Sequence, residues 1–251
     1  MTTLQKEKEA LGFHVSGHPL DEHRRAVRTY CSAGTASVGG LAADAPVVLA
    51  GIVTRIRPVL SQRGREPGRK MAMITLADRA GSIDGVLFPD TFARCGELLQ
   101  VDRVVVVAGT VDRSRAEPSI IVEKVVPIEE AAAHLATRLD LHLTAAPADG
   151  TPVEGILQML LGQLRQAAGG VSATRGRPVE VAVVLDVDGR VATLLAPGIR
   201  VVPDAALLAR LGGILGGVGR VEVRGGWLPP RRRDDRPWRS QGSRAEAGVG
   251  G

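Results

Sequence analysis

The sequence predicts an α+β chain whose middle, residues 47–128, closes into a five-stranded barrel of the OB type, with short helices before it and a small α+β unit after it. Three observations carry this. The apolar pattern turns strand-like at Val47. The run VVLAGIVTRIRPV has a glycine inside it, where a strongly bent barrel strand needs one. A single helical stretch, Thr91–Leu99, then falls between the third and fourth of five strand-like runs, which is the OB order of three strands, a helix that plugs the barrel, and two strands.

The elements follow in order. Residues 4–12, LQKEKEALG, suit a short helix closed by Gly12, and a turn at Ser16–Pro19 leads to a second amphipathic helix with Leu20, Val27 and Tyr30 on one face. Residues 31–46, rich in Gly, Ala and Ser, read as a connector. After the first barrel strand come Met71–Asp78 and Ser82–Phe88 around a tight turn, then the helix, then Val104–Asp112 and Ser119–Ile128. The expected organisation is a lead-in at 1–46, the barrel at 47–128, a linker at 129–150 and a small α+β domain at 151–226. A disordered Arg-rich tail at 227–251 ends the chain. Within the last domain, Asp188–Gly189 between two apolar runs is a two-residue hairpin signal.

Composition excludes several classes. The longest apolar runs, such as Val104–Gly109 and Val179–Leu185, fall well short of the roughly 20 residues that cross a bilayer. The first residues, MTTLQKEKEALGF, hold no signal core, so a cytoplasmic location is expected. Cys31 and Cys95 are far apart and lack zinc-ribbon spacing, so neither a disulfide framework nor structural zinc is supported. The net charge of +5 favours an anionic partner. All but four of the 32 basic residues are Arg, however, as in the bias of a GC-rich genome, so position outweighs total charge.

Position points to two loops. The loop between strands 1 and 2, SQRGREPGRK, holds Arg63, Arg65, Arg69 and Lys70, with Arg57 just before it. The loop between strands 4 and 5, RSRAE, supplies Arg113 and Arg115. In OB folds these loops flank the ligand groove, so the charge falls where a phosphate backbone would run. Phe88 is the aromatic available for base stacking, and Phe92 is expected to face the core. Solvated loops of an Arg-rich chain are the plain alternative. Binding through such a groove would be electrostatic, salt-dependent and nearly blind to sequence.

Other motifs dissolve on inspection. His14, His18 and His23 are split by the Gly17–Pro19 turn and lack a completing carboxylate. Asp186 and Asp188 lack the later ligands of a calcium loop. GREPGRK misses phosphate-loop spacing, and the glycines of LGGILGGVG sit at a helix end. Arg175–Pro178, RGRP, is a loop before a strand rather than a minor-groove hook. No catalytic set, cofactor fingerprint or metal site emerges.

The segment EKEALGFHVSGHPLDEH (Glu7–His23) resembles the stretch just upstream of the OB domain in bacterial DNA polymerase III α subunits, a pattern close to EKE-x-LG-[FY]-x-x-[ST]-GHPL. TLADRAGSIDGVLFPDTF (Thr75–Phe92) is similar to the same family's T-L-x-D-x-x-G-x-[IL]-[ED]-x-[VM]-[LV]-F segment, and a weaker likeness extends to near Val223. His14 departs from the family's usual aromatic, and the Arg-rich tail departs from its usual ending. The resemblance implies a C-terminal, non-catalytic part of such a polymerase, replicative or error-prone. It implies single-stranded template DNA as partner of the barrel, the clamp-loader τ subunit as partner of the last domain, and the remainder of the polymerase as a further partner if separately encoded. A stand-alone single-strand-binding or anticodon-binding OB protein, and an OB-bearing enzyme such as a class II tRNA synthetase, are the rival readings.

Overall fold

The computed structural model describes residues 18–61, 67–144, 153–171, 175–187 and 190–226. The helix expected at 4–12, the polar stretch at 145–152, the Asp188–Gly189 turn and the tail at 227–251 lie outside them.

The barrel is built from β1 (Pro46–Leu60), β2 (Lys70–Ala77), β3 (Ser82–Leu87), β4 (Val104–Asp112) and β5 (Ser119–Pro127), closed in the order β1-β2-β3-β5-β4 with β3 and β5 parallel. Closure works because β1 is long enough to pair twice. Its first half, Pro46–Ile52, runs against β4 and its second half, Ile52–Leu60, against β2. The bend between the halves sits at Gly51, where a Cβ would lie 3.2 Å from both the Ala77 oxygen and the Leu76 Cβ. A bulge between Val53 and Arg55 follows directly. Inward positions alternate along every strand and fill the barrel with Val47, Leu49, Val53, Ile74, Leu76, Leu87, Val107, Ile120 and Val122, all at most 1% exposed.

Short helical pieces surround the barrel. The lead-in holds a 3-10 turn at Pro19–Asp21, helix α1 (Arg24–Tyr30) and helix α2 (Thr35–Val38), the latter inside the stretch expected as plain connector. Helix α3 (Pro89–Cys95) with the 3-10 turn Gly96–Leu98 occupies the plug position, and Phe92 packs against the barrel core from it. Helix α4 (Ala131–Leu135) follows β5.

Leu20 and Tyr30 of the lead-in, with Ile128, Ala131 and Leu135, bury the outward side chains Val48, Ala50, Val106 and Ala108 of β1 and β4. The Pro19–Asp21 turn is pinned reciprocally: Leu20 N–H donates to His18 Nδ1 (3.2 Å) and His18 N–H donates to the Asp21 carboxylate (3.1 Å). Asp21 also accepts from Arg24 and from Arg79, on the turn between β2 and β3. A second latch holds α2. The Asp78 carboxylate accepts from Thr35 N–H (2.8 Å), Thr35 Oγ1 (2.6 Å), Ala80 N–H (2.7 Å) and Gly81 N–H (3.1 Å).

The second unit is a four-stranded sheet in the order β8-β7-β6-β9, formed by β6 (Ala136–Thr144), β7 (Val179–Val187), β8 (Arg190–Val201) and β9 (Gly219–Gly225). Helices α5 (Val153–Gly169) and α6 (Ala205–Leu215) cover one face with buried stripes of Ile156, Leu160 and Leu164, and of Leu207, Leu211 and Leu215. β6 corrects the expected linker at 129–150. It is an inner strand, parallel to β7 and antiparallel to β9, with Leu139, Leu141 and Leu143 buried against the helices. The second unit therefore begins at Ala136, ahead of 151. β6 also buries Asp140 completely, gripped by the Arg138 guanidinium (2.6 and 2.9 Å) and by Arg224 Nε (2.5 Å). RGRP is a packed loop: Arg177 N–H donates to the Ala133 oxygen at 2.7 Å.

Two stability predictions follow. At Gly109, where β4 slips register against β5, a Cβ would lie 2.1 Å from the Ile121 oxygen. Gly109→Ala is expected to cost about 1–3 kcal/mol in urea unfolding with an unchanged m-value. At Asp78, burial by itself would raise the carboxyl pKa, but the Thr35 hydroxyl and the three backbone donors outweigh it and hold the carboxyl below the ordinary 3.8. The folded state thus favours the ionised form, and this contribution is full above pH 3.8 and fades as pH falls through the lowered folded value. The stability gap between the parent chain and Asp78→Asn, measured by urea unfolding from about pH 5 downward, should narrow in that range.

Candidate nucleic-acid interface

The bulge between Val53 and Arg55 decides what the barrel shows to solvent. Before it, the outward residues of β1 are Val48, Ala50 and Ile52. The extra residue shifts the alternation so that Ile56 pairs inward with Ile74, while Arg55 and Arg57 stand outward opposite Thr75 and Met73. β3 continues these rows, with Asp84 opposite Thr75 and Val86 opposite Met73. Two cross-strand rows result: Arg55–Thr75–Asp84, which is polar, and Arg57–Met73–Val86, which is apolar beyond its arginine. Phe88, the next outward position after Val86, caps the start of α3 and is 49% exposed. Among the described residues neither Arg55 nor Arg57 enters an ion pair.

Beside β3 this face deepens into a cleft of about 610 Å³, bounded by Met73, Asp84 and Val86, by Arg115 and Glu117 of the loop between β4 and β5, and by Thr35 of α2. The loop is ordered by Asp112, whose Oδ1 accepts from Ser114 N–H at 2.9 Å. The Ser114 backbone and hydroxyl hold the Asp112 carboxyl below its ordinary pKa.

The eight residues expected at the interface fall in different places. Arg57 and Phe88 lie on the exposed face and Arg115 lines the cleft. Arg113 turns away and donates to the Gly39 oxygen at the end of α2. Arg69 pairs with Asp90 of α3 at 2.8 Å, and Lys70 lines a shallow depression beside Phe92 and Glu97 at the helix-plugged end. Arg63 and Arg65 lie outside the described residues. Arg55 and the Thr75–Asp84 pair were not among the expected residues, because they lie inside strands rather than in the charged loops; the phase slip from Val53 to Ile56 is the signal that would have placed Arg55 outward. Among the described residues no group of three or more His, Cys, Asp or Glu is placed to hold a metal, and no helix is long and apolar enough to cross a membrane.

The barrel has the OB fold, and residues 47–128 match the family model described as an OB-fold nucleic acid binding domain. The chain is also similar to DNA polymerase III subunit alpha. It is 36% identical over 123 residues to the protein of Borreliella burgdorferi, 34% over 144 residues to that of Pseudomonas aeruginosa and 27% over 224 residues to that of Escherichia coli K12. Those alignments take in 49%, 57% and 85% of this chain but only 10%, 12% and 17% of the relatives, consistent with a C-terminal portion of the subunit. A solved OBody bound to hen egg-white lysozyme aligns at 24% identity over 39% of this chain and 90% of that one, with a TM-score of 0.30, too slight a likeness to bear on the fold.

Proposed function

We propose that the chain acts as a non-catalytic C-terminal part of a DNA polymerase III α-type subunit, binding single-stranded template DNA on the outer face of β1, β2 and β3. The observation that carries this reading is the pair of unpaired arginines, Arg55 and Arg57, on the barrel face that OB folds use for nucleic acid. The similarity to polymerase III α subunits supports DNA as the strand bound. Arg57 and Arg55 would take phosphates, with Met73, Val86 and Phe88 beneath the bases. With one exposed aromatic on the face, stacking adds little beyond the roughly 1–3 kcal/mol of a single base, so charge dominates.

The test is a salt titration of single-stranded oligonucleotide binding by fluorescence anisotropy. Arg55→Ala/Arg57→Ala is expected to weaken binding and to lower the slope of log K against log salt by about 1.4, from roughly 0.7 per phosphate contact on single strands. Arg69→Ala should change it less, since that guanidinium is already engaged by Asp90. Unaltered binding in the double variant overturns the assignment of this face.

The second unit we assign to docking on the clamp-loader τ subunit. Its support is the resemblance to α subunits together with edge strand β8, where Val191, Leu194 and Leu195 are 55–67% exposed. Leu194→Asp/Leu195→Asp should abolish retention on immobilised τ while single-strand binding persists, and undiminished retention would remove β8 from the interface.

A further inference from the structure

The proposed groove is not uniformly basic. Its cleft between β3 and the loop joining β4 to β5 presents two carboxylates, Asp84 and Glu117, beside Arg115, over an apolar floor of Met73 and Val86. A phosphate is unwelcome there. Across the sheet, in the same row as Asp84, stands Arg55, two strand spacings or about 10 Å away. That is a span a nucleotide bridges from its phosphate to the far edge of its base. The charge pattern therefore orients a bound strand, with phosphates along β1 and base edges over β3.

At β3 the base edge meets a carboxylate that is already aimed. Thr75 Oγ1 donates to Asp84 Oδ1 at 2.7 Å, which fixes the carboxylate on the sheet surface, and Oδ2 has no partner among the described residues. An ionised carboxylate only accepts hydrogen bonds. Cytosine offers it an N4 amino group, whereas thymine offers the O4 acceptor at the same ring position and would be repelled. Both pyrimidines have the same ring size and would rest alike on Met73 and Val86.

We propose that Asp84, held by Thr75, makes this cleft select bases with an exocyclic amino group, cytosine ahead of thymine. This rests on the reading of the β1–β3 face as a single-strand groove. It also modifies the expectation of binding nearly blind to sequence, since a phosphate track alone cannot tell the two pyrimidines apart.

The experiment measures anisotropy of labelled oligo(dC) and oligo(dT) of about 16 nucleotides, the upper end of the site size for one OB fold, with the full chain at one low salt concentration. The parent chain should bind oligo(dC) about fivefold tighter, the low end of a single carboxylate–amino discrimination. Asp84→Asn, which removes a charge and gains a donor for thymine O4, should bind oligo(dT) more tightly than the parent and bring the ratio near one. Thr75→Val keeps the charge and releases the carboxylate, so it should lower the ratio without strengthening oligo(dT). Equal binding of the two oligonucleotides by the parent chain, or a ratio that survives in Asp84→Asn, overturns the base preference and leaves the groove standing. Saturable binding of neither oligonucleotide overturns the groove and the preference together.

Discussion

The structure depends on burying the outside of the barrel where β1 meets β4. Inward alternation already supplies a full core, so Val48, Ala50, Val106 and Ala108 are a second apolar layer, facing away from it. Left in water they would be an exposed apolar patch on the barrel. Leu20, Tyr30, Ile128, Ala131 and Leu135 cover them, and Val223 of β9 packs against the same cluster. This one layer joins the lead-in, the barrel and the second sheet. The approach is close enough that a Cβ at Gly225 would meet the Tyr30 ring at 2.4 Å. It also fixes the side left for a ligand. With the first half of β1 and β4 covered, the second half of β1 stays open with β2 and β3.

That constraint explains the His18–Asp21 turn better than any chemistry of its own. His18 spends Nδ1 as an acceptor for Leu20 N–H, and Asp21 gathers His18 N–H, Arg24 and Arg79. The turn delivers Leu20 to the covering layer and ties the lead-in to the β2–β3 turn. His18, Leu20 and Asp21 each have a fixed mechanical task, and the histidine that invites a metal reading is occupied as a cap.

The barrel was legible because its signals are local: a period of two, a glycine at the bend, and a lone helix after the third strand. Ala136–Thr144, inside the expected linker, was not legible as a member of the second sheet. Its membership depends on pairing with Val179–Val187, beyond the whole of α5, and no local signal reports a parallel partner that distant. The interface divided in the same way. Counting charges in and beside the loops gathered Arg57 and Arg115, which the fold leaves on the open face and in the cleft, together with Arg69 and Arg113, whose guanidinium groups the fold turns to Asp90 and to the Gly39 oxygen. It passed over Arg55 because that residue lies inside β1, further from the loop than attention to loop charge reaches, and only the phase slip from Val53 to Ile56 marks its face.

On the proposed reading, the groove has few free cations among the described residues. Each phosphate contact contributes a slope of roughly 0.7 on single strands, so contacts from Arg55 and Arg57 alone would give a shallow salt dependence and a modest intrinsic affinity. Such a surface orients a strand more than it retains one. Acting within a larger polymerase, it would gain from effective concentration: a strand already gripped elsewhere meets this face as an intramolecular partner, and weak contacts then suffice to hold its direction. A tight, autonomous binder would need the stacking platforms this face lacks beyond Phe88. The arrangement of two arginines, an apolar floor and one oriented carboxylate suits a surface that guides a strand held by something else.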